Sequence, residues 1–246
     1  MATGTDPAAT ILAEIEGLRS SGVRCPQVTL SYAQSLDGCL TTRRGERFEL
    51  SGLESRRLTH RLRAAHDAIL VGIGTVLVDD PRLTARLVPG KNPQPVVLDS
   101  RLRFPAEARL LISGSPWIAT TAPADPTRLA ALERAGAQVL VLPASDDGRV
   151  DPGALLGRLG ELGIGSLMVE GGAAVIGSFL RERLVNFIVL TIAPLFLGGL
   201  PSVEIGRAGG LPRLADLQFA AFGQDLVIWG RPVWQEALEA DEGKAR

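Results

Sequence analysis

Glu170 stands directly before Gly171 and Gly172, and Ala173, Ala174, Val175, Ile176 and Gly177 follow. A carboxylate in that place can accept two hydrogen bonds from amino groups on a heterocycle. Small residues after it let a ligand approach the backbone, and the N–H groups of a first helical turn favour a pyrophosphate. The plainer use of the same residues is structural: Glu170 can pair with an arginine, and the glycines can serve close packing of helix on strand. A second group is Gly72-Ile73-Gly74-Thr75, with Asp79 four residues beyond Thr75. Leu77 stands where a third glycine would complete the dinucleotide fingerprint, so the G-x-G pair alone is a weak sign. Thr75 and Asp79 can bind ribose hydroxyls or simply close a loop.

The third group follows the apolar run Val96–Leu98: Asp99, Ser100, Arg101 and then Arg103. Serine and arginine at a strand tip accept a 2′-phosphate, whereas an acid there favours the bare ribose. The balance points to NADPH rather than NADH, with Asp99 pulling the other way; a solvated turn uses the same residue types. Arg63 and Arg86 can clamp a substrate phosphate through paired N–H groups, or stand solvated. Asp37, in the turn Ser35-Leu36-Asp37-Gly38, joins Glu170 as a candidate catalytic carboxylate, with turn shaping as its alternative. Cys39 has no histidine partner nearby and reads as a small apolar residue. His60 and His66 are six apart in a helical stretch and do not share a face, and no zinc-type spacing occurs, so no metal site is expected.

Positioning these residues falls to strands and helices in alternation. Val28 to Tyr32 reads as the first core strand, followed by Ala68–Val71, Val96–Leu98, Trp117–Thr121, Gln138–Leu142, Leu167–Val169, Asn186–Ile192 and Leu226–Trp229. Residues 8–20 form a helix ahead of the core. Ser51-Gly-Leu-Glu54 has the form of a capping box opening a second helix. That helix buries Leu58, Leu62 and Ala65, while Arg56, Arg57, Arg61 and Arg63 cover the rest. Pro126–Ala135, Pro152–Leu162 and Ala173–Leu184 are further helices, two of them ended by glycine. The stretch after Val71 is expected to be a polar, sharply turned loop. The expected organisation is an N-terminal helical arm (1–26), one α/β domain (27–232) and a loose charged tail (233–246).

The chain of 246 residues is long enough for a full core, and its many aliphatic and few aromatic residues suit a parallel α/β interior. A net charge of −1 gives no broad case for nucleic acid or an anionic membrane. No uncharged apolar run reaches membrane-spanning length. Two cysteines and the absence of a secretory-type start make a reducing cytoplasm the expected compartment.

Taken together, the motifs resemble the riboflavin-pathway pyrimidine reductases of the dihydrofolate-reductase-like fold. The matching pieces are Ser35-Leu-Asp-Gly38, Gly72 through Thr84, Val97-Leu-Asp-Ser100, Val169-Glu-Gly-Gly172 and Ile192-Ala-Pro-x-x-x-Gly-Gly199, spread over residues 27–230. The resemblance implies a three-layer α/β sandwich with a mixed, mostly parallel central sheet, commonly paired as a homodimer through the sheet. It implies NADPH against Ala33, Thr75, Asp79, Ser100 and the segment 171–177. It implies a phosphorylated diaminopyrimidinone against Arg63, Leu83, Arg86 and Glu170, with reduction of its ribosylamino chain to ribitylamino. Ser31, Cys39 and Arg47-Phe48-Glu49-Leu50 depart from the bifunctional bacterial members, and the deaminase signature is absent. Those departures keep open a reductase of another pyrimidine or a pteridine, or a nucleotide-binding module without turnover.

Overall fold

A computed structural model describes residues 6–18, 25–121, 125–203 and 211–235. In chain order the first half runs α1 (Pro7–Leu18), β1 (Gln27–Ser35), β2 (Cys39–Thr41), α2 (Leu53–Ala65), β3 (Ala68–Gly72), α3 (Ile73–Asp79), β4 (Gln94–Leu98) and α4 (Arg109–Ser113). The second half runs β5 (Trp117–Thr121), α5 (Pro126–Arg134), β6 (Gln138–Leu142), α6 (Pro152–Glu161), β7 (Ser166–Val169), α7 (Ala173–Arg181), β8 (Phe187–Ala193), β9 (Leu200–Pro201), β10 (Leu211–Phe222) and β11 (Asp225–Gln235).

Among the described residues, nine strands form one sheet in the order β10-β11-β8-β1-β7-β3-β4-β5-β6, and β2 pairs with β9 apart from it. The strands from β8 to β6 are mutually parallel; β11 and β10 run antiparallel at one edge. Because β7 inserts between β1 and β3, strands distant in sequence end side by side. Open α/β sheets bind ligands outside the carboxyl ends of their strands at such a reversal.

The layers follow from strand periodicity. On β3, Ile69 and Val71 face one side with Ile11 and Ile15 of α1 and Leu58 and Leu62 of α2. Ala68 and Leu70 face the other, with Leu155 and Leu159 of α6 and Ile176 and Phe179 of α7. A strand covered on both faces reads as an unbroken apolar run, which is why Ala68–Val71 was legible. Helix α1 shares its apolar cluster with α2, so the expected arm packs into the core. Helices α5 and α6 start alike: Asp125 accepts from the Thr127 N–H and Asp151 from the Ala154 N–H, each with proline next in the chain.

Four expectations are corrected. The capping box at Ser51 does not form; Gly52 is the N-cap of α2 without a side-chain cap, and its N–H donates to Asp225 Oδ2 at 2.8 Å. The buried Asp225, arriving from β11, supplies in tertiary contact what a local side chain would have supplied. The expected loop after β3 is helix α3, held down by Ile73 and Val76. Arg63, assigned to the solvent face of α2, is buried. The last strand runs to Gln235, past the domain end expected at residue 232, and pairs with β10, which the apolar pattern did not reveal. A register shift between Ala215 and Gln218, with Asp216 at φ 51°, breaks the alternation of β10. The expected loose tail beyond 235 lies outside the described residues.

Candidate active site

A cleft of roughly 1100 Å³ opens where β1, β3, β4 and β7 end. It is lined by Ala33, Arg63, Thr75, Asp79, Leu83, Arg86, Ser100, Glu170 and the run Gly171 to Val175, so one cavity gathers most of the residues singled out above. Ile176 and Gly177 are corrections to the expected ligand-binding segment. Both are buried on the core side of α7, as helical periodicity requires after an exposed first turn.

At the floor, Glu170 follows β7, its N–H donating to the Leu70 carbonyl at 2.9 Å. Arg63 reaches it from α2 in a two-point pair: Nε to Oε2 at 2.9 Å and Nη2 to Oε1 at 2.6 Å. The Arg63 side chain is 10% exposed and that of Glu170 28%, so the pair is largely desolvated. Such a fork is rigid and strongly directional. Each carboxylate oxygen retains lone-pair capacity for a second donor. Arg63 Nη1 also donates to the Thr84 carbonyl at 3.2 Å. Arg63 is therefore committed to Glu170 and Thr84 rather than standing free to clamp a phosphate.

Further arginines lie beyond it, Arg109 among them paired with Asp80 at 3.8 Å. After α3 the chain turns through Asp80 and Leu83, both non-glycine residues at positive φ (40° and 51°), and Leu83 is buried against the cleft. Left-handed backbone at such residues is costly and gathers at ligand sites. Arg82 and Arg86 extend from this turn and Arg109 joins them from α4 around a side pocket of about 390 Å³. Partial burial, then the charges of Arg63, Arg82 and Arg109, hold the Arg86 guanidinium below its ordinary pKa. Glu170 offsets this in part but is already engaged. An anion is the natural partner for such a cluster. His60, three residues before Arg63 on α2, forms part of the same wall. Burial, then the charges of Arg63 and Arg86, depress its pKa to about 4, so the ring is neutral at physiological pH.

On the opposite side, α7 begins at Gly172 with no side-chain cap. A Cβ on Gly171 would come within 2.7 Å of Val175 Cβ, and one on Gly72 within 2.9 Å of Val175 Cγ2. These two glycines answer to packing. A Cβ on Gly172 or Gly74 would meet nothing within 4 Å, so the backbone there borders open space. Ser100 Oγ accepts from the Val150 N–H at 3.0 Å and faces the cleft with Arg101, Arg103 and Arg149. Asp99 points away: it is fully buried, accepts from the Phe104 N–H at 2.8 Å, and burial raises its pKa. The acid that argued for a bare ribose is thus outside the cleft. Asp79 faces the cleft from the end of α3, 3.9 Å from Arg47; burial raises its pKa, against the pull of Arg47.

Asp37 lies outside the cleft, contrary to its candidacy as a catalytic carboxylate. Its oxygens accept from the Ser35 hydroxyl, the Leu197 N–H at 3.0 Å and the Gly198 N–H at 2.6 Å. The hydroxyl first, and then the two amides, hold its pKa well below the usual carboxylate range. It staples the turn after β1 to the loop before β9. Sequence reasoning also missed His60, Arg82 and Arg109. Only His60 left a signal, sharing the face of Arg63 one helical turn away.

Among the described residues, ten arginines and five carboxylates line the cleft, although the whole chain carries −1. The positive side of the molecule is concentrated where a multiply phosphorylated ligand would bind. The dimensions, the open backbone at Gly172 and Gly74, and this charge all fit a dinucleotide phosphate. Among the described residues no cluster of His, Cys, Asp and Glu is placed to hold a metal ion, and no helix is long and apolar enough to cross a membrane.

Residues 26–228 match the family model described as the RibD C-terminal domain. The 2,5-diamino-6-ribosylamino-4(3H)-pyrimidinone 5′-phosphate reductase of Methanothermobacter thermautotrophicus is 40% identical over 213 residues, covering 82% of this chain and 96% of that protein. The riboflavin biosynthesis protein RibD of Aquifex aeolicus is 36% identical over 214 residues, covering 83% of this chain but 57% of that longer protein. Among solved structures, the riboflavin biosynthesis reductase Rib7 of Saccharomyces cerevisiae superposes with a TM-score of 0.74 at 27% identity, over 93% of this chain and 100% of that one.

Proposed function

The chain belongs to the RibD C-terminal domain family, and from that premise we propose that it is an NADPH-dependent reductase of riboflavin biosynthesis. It reduces the ribosylamino side chain of a diaminopyrimidinone 5′-phosphate to ribitylamino. The observation that carries this reading is the Glu170–Arg63 fork at the floor of an arginine-rich cleft. It presents a fixed carboxylate to a ring bearing amino groups, beside a cluster of arginines suited to a phosphate. The relative that is 40% identical, and matched over 96% of its length, bears the name of this reductase.

Glu170 accepts N–H groups of the pyrimidine while Arg63 fixes its orientation, and Leu83 packs against the ring. Arg86, with Arg82 and Arg109 beside it, takes the 5′-phosphate, the role expected of Arg63 and Arg86 together. On the cofactor side the first turn of α7 from Gly172 would hold the pyrophosphate. Ser100, Arg101 and Arg103 would hold the 2′-phosphate, Thr75 and Asp79 the ribose hydroxyls, and Ala33 would border the nicotinamide end. NADPH bound there would supply a hydride to C1′ of the ring-opened sugar. The protein's share is to hold both partners in register and exclude water. The reading includes a homodimer through the β10 edge, supported by Leu217 and Phe219, both exposed on that strand; light scattering at twice the chain mass tests it.

The functional test is NADPH oxidation, followed by absorbance, with the diaminopyrimidinone ribosylamino phosphate and with its deaminated counterpart. Oxidation is expected with the first. Tight NADPH binding with no oxidation by either compound would overturn the reading.

A further inference from the structure

We propose that His60 is a positioning residue for the phosphate end of the substrate: its ring fastens the segment carrying Arg86 to helix α2. The inference rests on the functional reading above only in naming the phosphate. His60 is 3% exposed, yet it forms part of the cleft wall. Its Nδ1 accepts the Leu87 N–H across a long 3.5 Å contact, which places the ring proton on Nε2. At the other end of the segment the Thr84 carbonyl accepts from Arg63 Nη1, also on α2, at 3.2 Å. Helix α2 therefore grips both ends of the segment 84–87, and Arg86 lies between the grips. The Ala85 N–H is held separately by Asn92 Oδ1 at 3.0 Å.

The segment needs holding because Arg86 is surrounded by Arg63, Arg82 and Arg109, while Glu170 is bound to Arg63. Like charges gathered around Arg86 work against holding the segment in place. The fastening group must be buried, must offer an acceptor, and must carry no charge at working pH. Lysine or arginine would add to the repulsion. Aspartate or glutamate would pair with Arg86 and compete with the substrate. Neutral imidazole meets all three conditions, and the charged groups acting on it, Arg63 from α2, Arg86 from the segment and Glu170 after β7, on balance keep it neutral.

The test compares H60A and H60N at neutral pH. Asparagine keeps an acceptor oxygen close to the place of Nδ1. H60A is expected to raise KM for the phosphorylated substrate about tenfold, with kcat and NADPH affinity within about threefold of wild type, and H60N to recover most of that loss. Amide hydrogen exchange at Leu87, which needs no substrate, is expected to accelerate in H60A and to stay near wild type in H60N. H60Q, which carries its amide beyond the Nδ1 position, is expected to follow H60A and replaces it if H60A does not fold. Wild-type exchange at Leu87 in H60A or H60Q would overturn the proposal, as would a parallel loss of kcat, KM and NADPH affinity. Failure of the wild type to turn over either pyrimidine would overturn the functional reading alone, since Leu87 exchange still decides the role of His60.

Discussion

The chain leaves the sheet through a glycine pair twice, at Gly72 and Gly74 after β3 and at Gly171 and Gly172 after β7. In each pair the first glycine is forced by the bulk of Val175, and the second borders open space. The resemblance ends there. The β7 exit carries Glu170 ahead of its glycines, pinned by Arg63, and leads into a nine-residue helix. The β3 exit carries no charge ahead of its glycines and leads into a seven-residue helix, after which Asp80 and Leu83 take left-handed backbone. One exit presents a preset charge pair, the other a shaped turn that delivers arginines. A glycine pair alone therefore says little about ligands; what precedes and follows it decides the chemistry.

The sharpest way to break this contrast is Glu170→Gln. It removes the carboxylate and leaves Arg63 without its counter-charge. Turnover is expected to fall about a hundredfold, with stability lower by about 2 kcal/mol, while the dissociation constant for NADPH stays within about threefold. A large loss of NADPH affinity in a binding titration would remove the division of labour between the two exits. The glycines come next. Gly171→Ala is expected to cost about 2 kcal/mol in denaturant unfolding through overpacking against Val175. Gly172→Ala is expected to leave stability nearly unchanged and to weaken NADPH; equal destabilisation by both would show that the two glycines do one job. Ser100→Glu sharpens the cofactor side: like-charge repulsion is expected to weaken NADPH about tenfold and NADH much less, measured as the ratio of their dissociation constants.

The smallest expected effect is in pH-dependent stability. The folded-state pKa of His60, about 4, lies below its ordinary value of 6.5, so the unfolded chain binds the proton more readily. Its contribution to stability is complete above the ordinary value, is lost as pH falls from there toward 4, and is constant below. Relative to H60N, the wild type should lose on the order of 1 kcal/mol between neutral pH and about pH 5.5. Parallel stability curves for the two proteins would show that His60 titrates normally.

The inner strands were legible because burial on both faces leaves a largely apolar run between turn residues, and Trp117–Thr121 is a strand at those bounds; the edge strand Gln138–Leu142 also keeps its bounds, though Gln138 and Val141 are exposed. Helix α3 was not legible, since two buried residues in seven, with a glycine between them, give no period to read. β10 was hidden by its bulge and edge position. The cleft's residues were visible as types, but their pairing was not. Four arginines in eight residues of α2 look alike in sequence, and only the approach of β7 singles out Arg63 for burial against Glu170. Asp37 and Asp99 show the opposite failure: acids at strand ends, suggestive in sequence, turn to bind backbone N–H groups.

The central claim is hydride delivery to C1′ of a pyrimidine held by Glu170 and the arginines. NADPH carrying deuterium at both C4 positions, incubated with the protein and the diaminopyrimidinone ribosylamino phosphate, tests it directly by mass spectrometry and NMR of the product. The expected product is the ribitylamino compound with one deuterium at C1′. A product without deuterium, or with deuterium on the pyrimidine ring, would contradict the assignment of the two sides of the cleft.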